Sequence, residues 1–267
     1  RDAEPLVRRF TDRLPVEWID CPVAGQVIQR NIALRQLDER TKVVLYLDDD
    51  IQLEPGAIRE LVGFWSRQPI EPAGVSLNLV NMPDQPDNVY RRLFLMGSRP
   101  KGLVRRSGYN TPVVNLSRDI ESQWLIGGAT AWRKDILLQH LNEEIPSRWA
   151  ITEDLMFSYP LWHRGEKLFV CASARALHVD PSIKHSMRAG VFRGKAGVLW
   201  RYLFVRDRAE LSVAAFFWMT IGQTIGRFAM ALSLRPEAVG FALGYMFGLA
   251  LSLRALAMGR DIRADLS

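Results

Sequence analysis

Val43–Leu47 is an unbroken run of five apolar residues that leads straight into Asp48, Asp49 and Asp50. Such a run predicts a parallel strand buried on both faces of a sheet. A strand of that kind requires layers of helix to cover it, so it constrains what surrounds it. Pro55 and Gly56 follow, and then Ile58, Leu61, Val62 and Trp65 recur at the spacing of an amphipathic helix. Val75, Leu77 and Leu79 alternate with Ser76 and Asn78, as in a further strand. Alternation of strand and helix predicts an α/β layered domain.

Three adjacent carboxylates repel one another unless something holds them. If the strand persists, Asp48 and Asp50 project to one side and Asp49 to the other. They stand at the carboxyl end of the strand, where open α/β sheets place ligands. Two converging carboxylates there suit a hard divalent cation, Mg²⁺ or Mn²⁺, with positions left open for phosphate oxygens. A solvated acidic turn is the competing explanation for any Asp-rich segment. The net charge of +6 suits phosphate-bearing partners but does not choose among nucleotides, nucleic acid and anionic lipid.

The remaining pattern is uneven. Helices are expected over 2–13 and 26–37, and a short strand over 16–19. Residues 82–122, rich in Pro, Gly, Asn and Arg, read as long loops with short elements. Residues 124–132 read as a strand interrupted by Gly127 and Gly128, with a helix from Lys134. Thr152, Glu153 and Asp154 open another helix, in which Thr152 suits an N-cap and Pro160 should kink or end the helix early. The last strands fall in the segment ending at His178, and Asp180 precedes Pro181 as a turn residue. Cys21 and Cys171 have no metal-type spacing and read as free thiols in a reducing compartment. The chain opens on Arg1, without a signal peptide, as expected of a fragment or a trimmed start.

After residue 181 basic residues cluster, among them Lys184, Arg188, Arg193 and Lys195. Two uncharged apolar stretches follow, 211–226 and 238–253. Both are short for a spanning helix, which needs ~20 apolar residues. A membrane hairpin, interfacial helices and a soluble bundle all remain open, and the preceding basic residues favour an anionic membrane surface. No nucleic-acid recognition module accompanies them.

The segment from Val44 to Leu61 resembles the Asp-X-Asp region of family 2 glycosyltransferases of GT-A fold, with Asp48 and Asp50 at the two aspartates. Upstream, Gly25, Arg30 and Asn31 match a helix that lies beside the nucleotide in that family. Downstream, Gly127 and Gly128, then Thr152, Glu153 and Asp154, then Gly165, Lys167 and Leu168 follow in the family's order. The resemblance implies a Rossmann-like mixed sheet flanked by helices. It further implies metal-dependent, inverting transfer of a hexosyl or deoxyhexosyl unit from a nucleoside-diphosphate donor to an acceptor hydroxyl. Asp154 would be the general base, with Glu153 orienting the acceptor or the base. Asp48, Asp49, Arg30, Asn31, Gly127 and Gly128 would contact the donor. Asp50, Asp48 and His178 would hold Mg²⁺ or Mn²⁺. Members of the family begin with a strand that holds the nucleobase, and none is evident before Trp18.

The resulting expectation is a catalytic domain over 1–205 and membrane-associated helices over 206–267, at the cytoplasmic face of a membrane. The acceptor would be a lipid-linked or cell-envelope glycan. The rival is an inactive membrane-associated nucleotide- or phosphate-binding protein of the same fold. A metal-dependent nucleotidyltransferase or phosphoesterase could also use clustered aspartates, but gives no reason for the Thr-Glu-Asp helix.

Overall fold

The computed structural model describes residues 4–23, 25–141, 143–144, 151–179 and 186–266, so the expectations for Asp180, Pro181 and Lys184 fall outside it. In chain order the elements are α1 (Glu4–Arg8), α2 (Gln26–Leu34), β1 (Val43–Leu47), β2 (Ile51–Leu53), α3 (Ala57–Arg67), β3 (Gly74–Leu79), α4 (Val89–Leu93), β4 (Ile120–Glu121), β5 (Ala129–Arg133), α5 (Lys134–Gln139), α6 (Glu153–His163), β6 (Leu168–His178), α7 (Met187–Arg206), α8 (Val213–Ala231) and α9 (Pro236–Met258). A short 3-10 turn at Arg263–Leu266 follows. The expected helix over 2–13 is regular only at α1, and 16–19 is irregular, with Pro15 before it.

The strands form one mixed sheet in the order β1-β5-β3-β6-β2, with β4 paired to β6 off this path. β3 and β6 run parallel, and the other pairings are antiparallel. This corrects the reading of β1. It is an edge strand, antiparallel to β5, and Val43 and Leu47 at its ends are exposed. Strand alternation accounts for its apolar run. Val44 and Tyr46 pack on the larger core with α5, α6 and α7, whereas Leu45 packs on the smaller core with α3. Helices therefore cover both faces, and an edge strand can carry apolar residues on each.

α6 continues through Pro160 to His163 instead of ending early. Proline leaves the carbonyl four residues back without its helical donor. That carbonyl belongs to Met156, and it accepts a hydrogen bond of 3.3 Å from Arg208 Nη2. A side chain from beyond α7 thus replaces the missing backbone donor.

The C-terminal helices share the larger core, which extends from Leu34 and Trp132 through Leu155, Trp200 and Phe216 to Leu266. α7 and α9 run parallel and touch through glycines. A Cβ on Gly194 would lie 2.6 Å from the Phe241 carbonyl oxygen and 3.1 Å from Gly244 Cα, and Gly190 meets Gly240 one turn earlier. α9 is long and apolar enough to cross a membrane, with a mean hydropathy of 1.6 over its most apolar window. Its glycine face is nevertheless packed on α7, a basic helix whose apolar residues are largely buried.

Candidate active site

α2 places Gln26 and Arg30 one turn apart on one face, and both reach the end of β1. Arg30 Nη2 donates to Asp48 Oδ1 at 2.8 Å, and Gln26 Nε2 donates to the same oxygen at 3.1 Å. The other guanidinium nitrogen of Arg30, Nη1, donates to Glu153 Oε1 at 3.0 Å. One guanidinium therefore joins the two acidic segments. It lies 5.0 Å from the centre of the Tyr46 ring, which adds a cation–π contact. Burial pushes the Tyr46 hydroxyl up to about 12, so the ring stays neutral beside Arg30.

Glu153 and Asp154 form the first turn of α6. Burial raises Asp154, and the neighbouring Glu153 charge adds to it, bringing its pKa to about 7. Burial also raises Glu153, against the pull of Arg30. The pair is held by backbone donors: Asp154 N–H to Glu153 Oε2 at 2.7 Å, and Leu155 N–H to Asp154 Oδ1 at 2.7 Å. A carboxylate tuned to neutral pH takes a proton from a hydroxyl far better than an ordinary one. Thr152 does not cap the helix as expected. Its side chain makes no cap hydrogen bond, and its buried hydroxyl oxygen has no partner among the described residues.

Gly127 and Gly128 lie against these acids. A Cβ on Gly127 would sit 2.8 Å from Glu153 Oε1 and 3.2 Å from Asp154 Cβ. One on Gly128 would overlap the Asp48 carboxylate. The Gly128 carbonyl also accepts from Asp48 N–H at 2.9 Å. The glycines thus make room for the acids of this chain itself.

Asp48 to Ile51 form a turn, closed by Ile51 N–H to Asp48 O at 3.1 Å, so the strand alternation expected to pair Asp48 with Asp50 lapses. The Asp50 carboxylate instead faces His178, with Oδ2 3.4 Å from Nε2. Register explains this. β2 pairs Ile51 with His178, and Val179 N–H donates to Asp50 O at 2.7 Å. Asn81 fixes the His178 backbone from the other side, accepting from its N–H at 2.9 Å and donating to its carbonyl at 2.8 Å. Asp49 is exposed, and Asn31 is buried and donates to Glu144 at 2.9 Å, away from Arg30.

Among the described residues no group of three or more His, Cys, Asp and Glu side chains is arranged to hold a metal ion. Asp50 and His178 alone fit two positions of one. Ligand atoms ~2.1 Å from a cation at adjacent octahedral corners lie about 3 Å apart, close to the spacing of this pair. A carboxylate with an imidazole suits Mn²⁺ better than Mg²⁺.

Cavities surround the start of α6. One of about 10 Å³, lined by Arg30, Tyr46, Glu153 and Asp154, has room for a single water. A second, of about 370 Å³, has Glu153 in its wall with Trp200, Arg164 and Arg208. A third, of about 300 Å³, lies between Thr152 and the C-terminal helices, with Arg201 and Tyr245 in its wall. Gln26, Tyr46, Asn81 and Arg201 were not anticipated. Gln26 stands one helical turn from Arg30, and Tyr46 one strand repeat from Asp48, so those two could have been found from spacing.

No family model and no curated protein matches the chain. Among solved structures it is similar to a mannosyltransferase from Pyrobaculum calidifontis in complex with GDP-Man and Mn²⁺. The two share 16% identity and a TM-score of 0.47, over 97% of this chain and 67% of that one.

Proposed function

We propose that the chain is a metal-dependent, inverting glycosyltransferase that uses a nucleoside-diphosphate sugar. The observation that supports this most is Arg30 joining Asp48 to Glu153, because it brings the aspartate turn and the acid pair to one place. Asp154 takes the proton of an acceptor hydroxyl as that oxygen bonds to the anomeric carbon. The bond from that carbon to the diphosphate breaks in the same displacement, and its electrons leave with the nucleoside diphosphate. Asp50 and His178 would hold Mn²⁺ or Mg²⁺. When bound, the cation supplies positive charge to the departing diphosphate. Arg30 keeps Asp48 and Glu153 oriented, Asp48 and Asp49 belong to the donor side in this reading, and Asn31, Gly127 and Gly128 support it by packing on the chain's own acids.

The acceptor is a lipid-linked or cell-envelope glycan in this account. The 1–205 part carries the chemistry, and the helices of 206–267 keep it at the cytoplasmic face of a membrane. The apolar surfaces of α8 and α9 support contact with a membrane, without bearing on which face. Incubation with a panel of nucleotide-sugars and Mn²⁺, read by release of nucleoside diphosphate, tests the proposal. Turnover of one donor is expected, and no release from any would oppose it.

The water-sized cavity beside Asp154 favours one alternative, an inactive binding protein of the same fold. Calorimetry separates the two, since a relic should show no metal-dependent binding of nucleoside diphosphates.

A further inference from the structure

The largest cavity described lies away from the acid pair. It has a volume of about 770 Å³ and is formed by the 87–107 segment and the start of α8. Arg92, Arg99, Arg105 and Arg106 line it, and Asp87 is the one carboxylate in its wall. Arg92 is paired with Asp87 at 2.8 Å, and Arg99 with Asp84 at 2.7 Å. Arg105 donates to the carbonyl of Arg99, a neutral partner. The Arg106 side chain has no hydrogen bond or ion pair among the described residues, and it is exposed. Arg105 also feels the charge of Asp87, which it shares with Arg92, so the wall carries more guanidinium groups than carboxylates and Arg106 has none of its own among the described residues. The α8 N-terminus, capped by Ser212 through its acceptance from Ala215 N–H at 3.2 Å, adds its positive end to the same wall.

An exposed apolar stripe starts at this cavity. Ala215 is in its wall, and the next turns of α8 present Trp218, Ile221, Ile225 and Phe228 on one face, each at least 40% exposed. Leu95, in the wall, and Val89 and Leu93 of α4 are exposed alongside. Packing holds the stripe in place. Trp218 Nε1 donates to the Leu93 carbonyl at 2.8 Å, its ring stacks on Phe94 at 5.0 Å, and a Cβ on Gly222 would overlap the Phe94 ring. A largely apolar cavity with guanidinium groups in its wall, continuous with an apolar strip, has the two-part character of a phospholipid site.

We propose that this cavity seats the phosphate headgroup of an anionic membrane lipid, whose acyl chains lie along the α8 stripe. Arg105 and Arg106 supply the charge, and Trp218 marks the boundary between headgroup and chain. This deepens the membrane part of the reading above and is independent of sugar transfer.

The test is sedimentation of the full chain with vesicles of phosphatidylcholine, alone or mixed with phosphatidic acid. Binding is expected to require phosphatidic acid. The Arg105→Gln/Arg106→Gln double variant should bind the mixed vesicles roughly thirty-fold more weakly. The Arg59→Gln/Arg67→Gln variant, which removes two exposed charges from α3, should bind as the unaltered chain does. Ile221→Ser/Ile225→Ser should also weaken binding, with all variants checked for native melting by circular dichroism. Equal loss in both arginine variants would leave general membrane attraction in place and overturn the site. Binding without phosphatidic acid would overturn the headgroup assignment. Calorimetric binding of inorganic phosphate that needs Arg105 and Arg106, with no vesicle binding, would make it a soluble-phosphate site and overturn the lipid.

Discussion

Arg30 Nη1 lies 3.0 Å from Glu153 Oε1, which fastens a helix near the start of the chain to the first turn of α6. The same guanidinium holds Asp48 at 2.8 Å. Arg30 and Glu153 are mostly buried, and Asp48 is more open, at 36% exposure. Removing Arg30 leaves Asp48 and Glu153 without their countercharge, each keeping one neutral donor, Gln26 Nε2 and the Asp154 N–H respectively. Arg30→Ala is expected to lower stability by about 2 kcal/mol, less than a fully buried pair because Asp48 reaches solvent. Arg30→Lys should recover only part of it, since one ammonium cannot span both acids as a planar fork does. Thermal melts of the two variants check this.

Asp154 is raised from 3.8 to about 7, which gives a pH dependence of defined sign. Below the lower value the carboxyl is neutral in both folded and unfolded chains, and burial carries no penalty. Between the two values the unfolded chain ionises first, so the folded state loses stability as pH rises. Above about 7 the penalty is constant. Asp154→Asn should therefore stabilise the fold at pH 8, by on the order of 4 kcal/mol at most, and by almost nothing near pH 3. Melting curves across that range read the difference. Because Glu153 titrates beside it, the midpoint belongs to the pair.

The Asp50 and His178 pair makes a separate prediction. Loss of either side chain should weaken Mn²⁺ binding in the presence of a nucleoside diphosphate by about tenfold or more. Titration calorimetry measures it. An unchanged Mn²⁺ affinity in both Asp50→Ala and His178→Ala would place the cation elsewhere.

Gly128→Ala should be more damaging than Gly127→Ala. The new methyl at 128 overlaps the Asp48 carboxylate, whereas that at 127 meets Glu153 Oε1 at 2.8 Å, a contact a small shift relieves. Overpacking of this sort costs about 1–3 kcal/mol. Chemical denaturation of both variants gives the order.

Much of this arrangement was legible in the residues. The helical spacing of Ile58, Leu61 and Trp65 and the alternation of Val75, Leu77 and Leu79 located α3 and β3 within a residue or two. β1 was located too, but not its place at the edge, because an apolar run carries no record of which strands flank it. The divergence of Asp48 from Asp50 was hidden for a related reason. Three aspartates in sequence do not reveal where a strand yields to a turn, and here the turn sends Asp48 to Arg30 and Asp50 to His178. Pro160 misled through its local rule. The donor that compensates for it, Arg208, is distant in sequence and meets Met156 only once the C-terminal helices pack. The glycine contacts of α7 and α9 needed both helices at once, since each alone reads as an apolar segment with scattered small residues.

The most direct test of the account is sugar transfer by Asp154→Asn, measured beside calorimetric binding of the nucleoside diphosphate with Mn²⁺. The account predicts a fall in transfer of ~10²-fold or more with binding of the nucleotide unchanged. Transfer at the unaltered rate would contradict it.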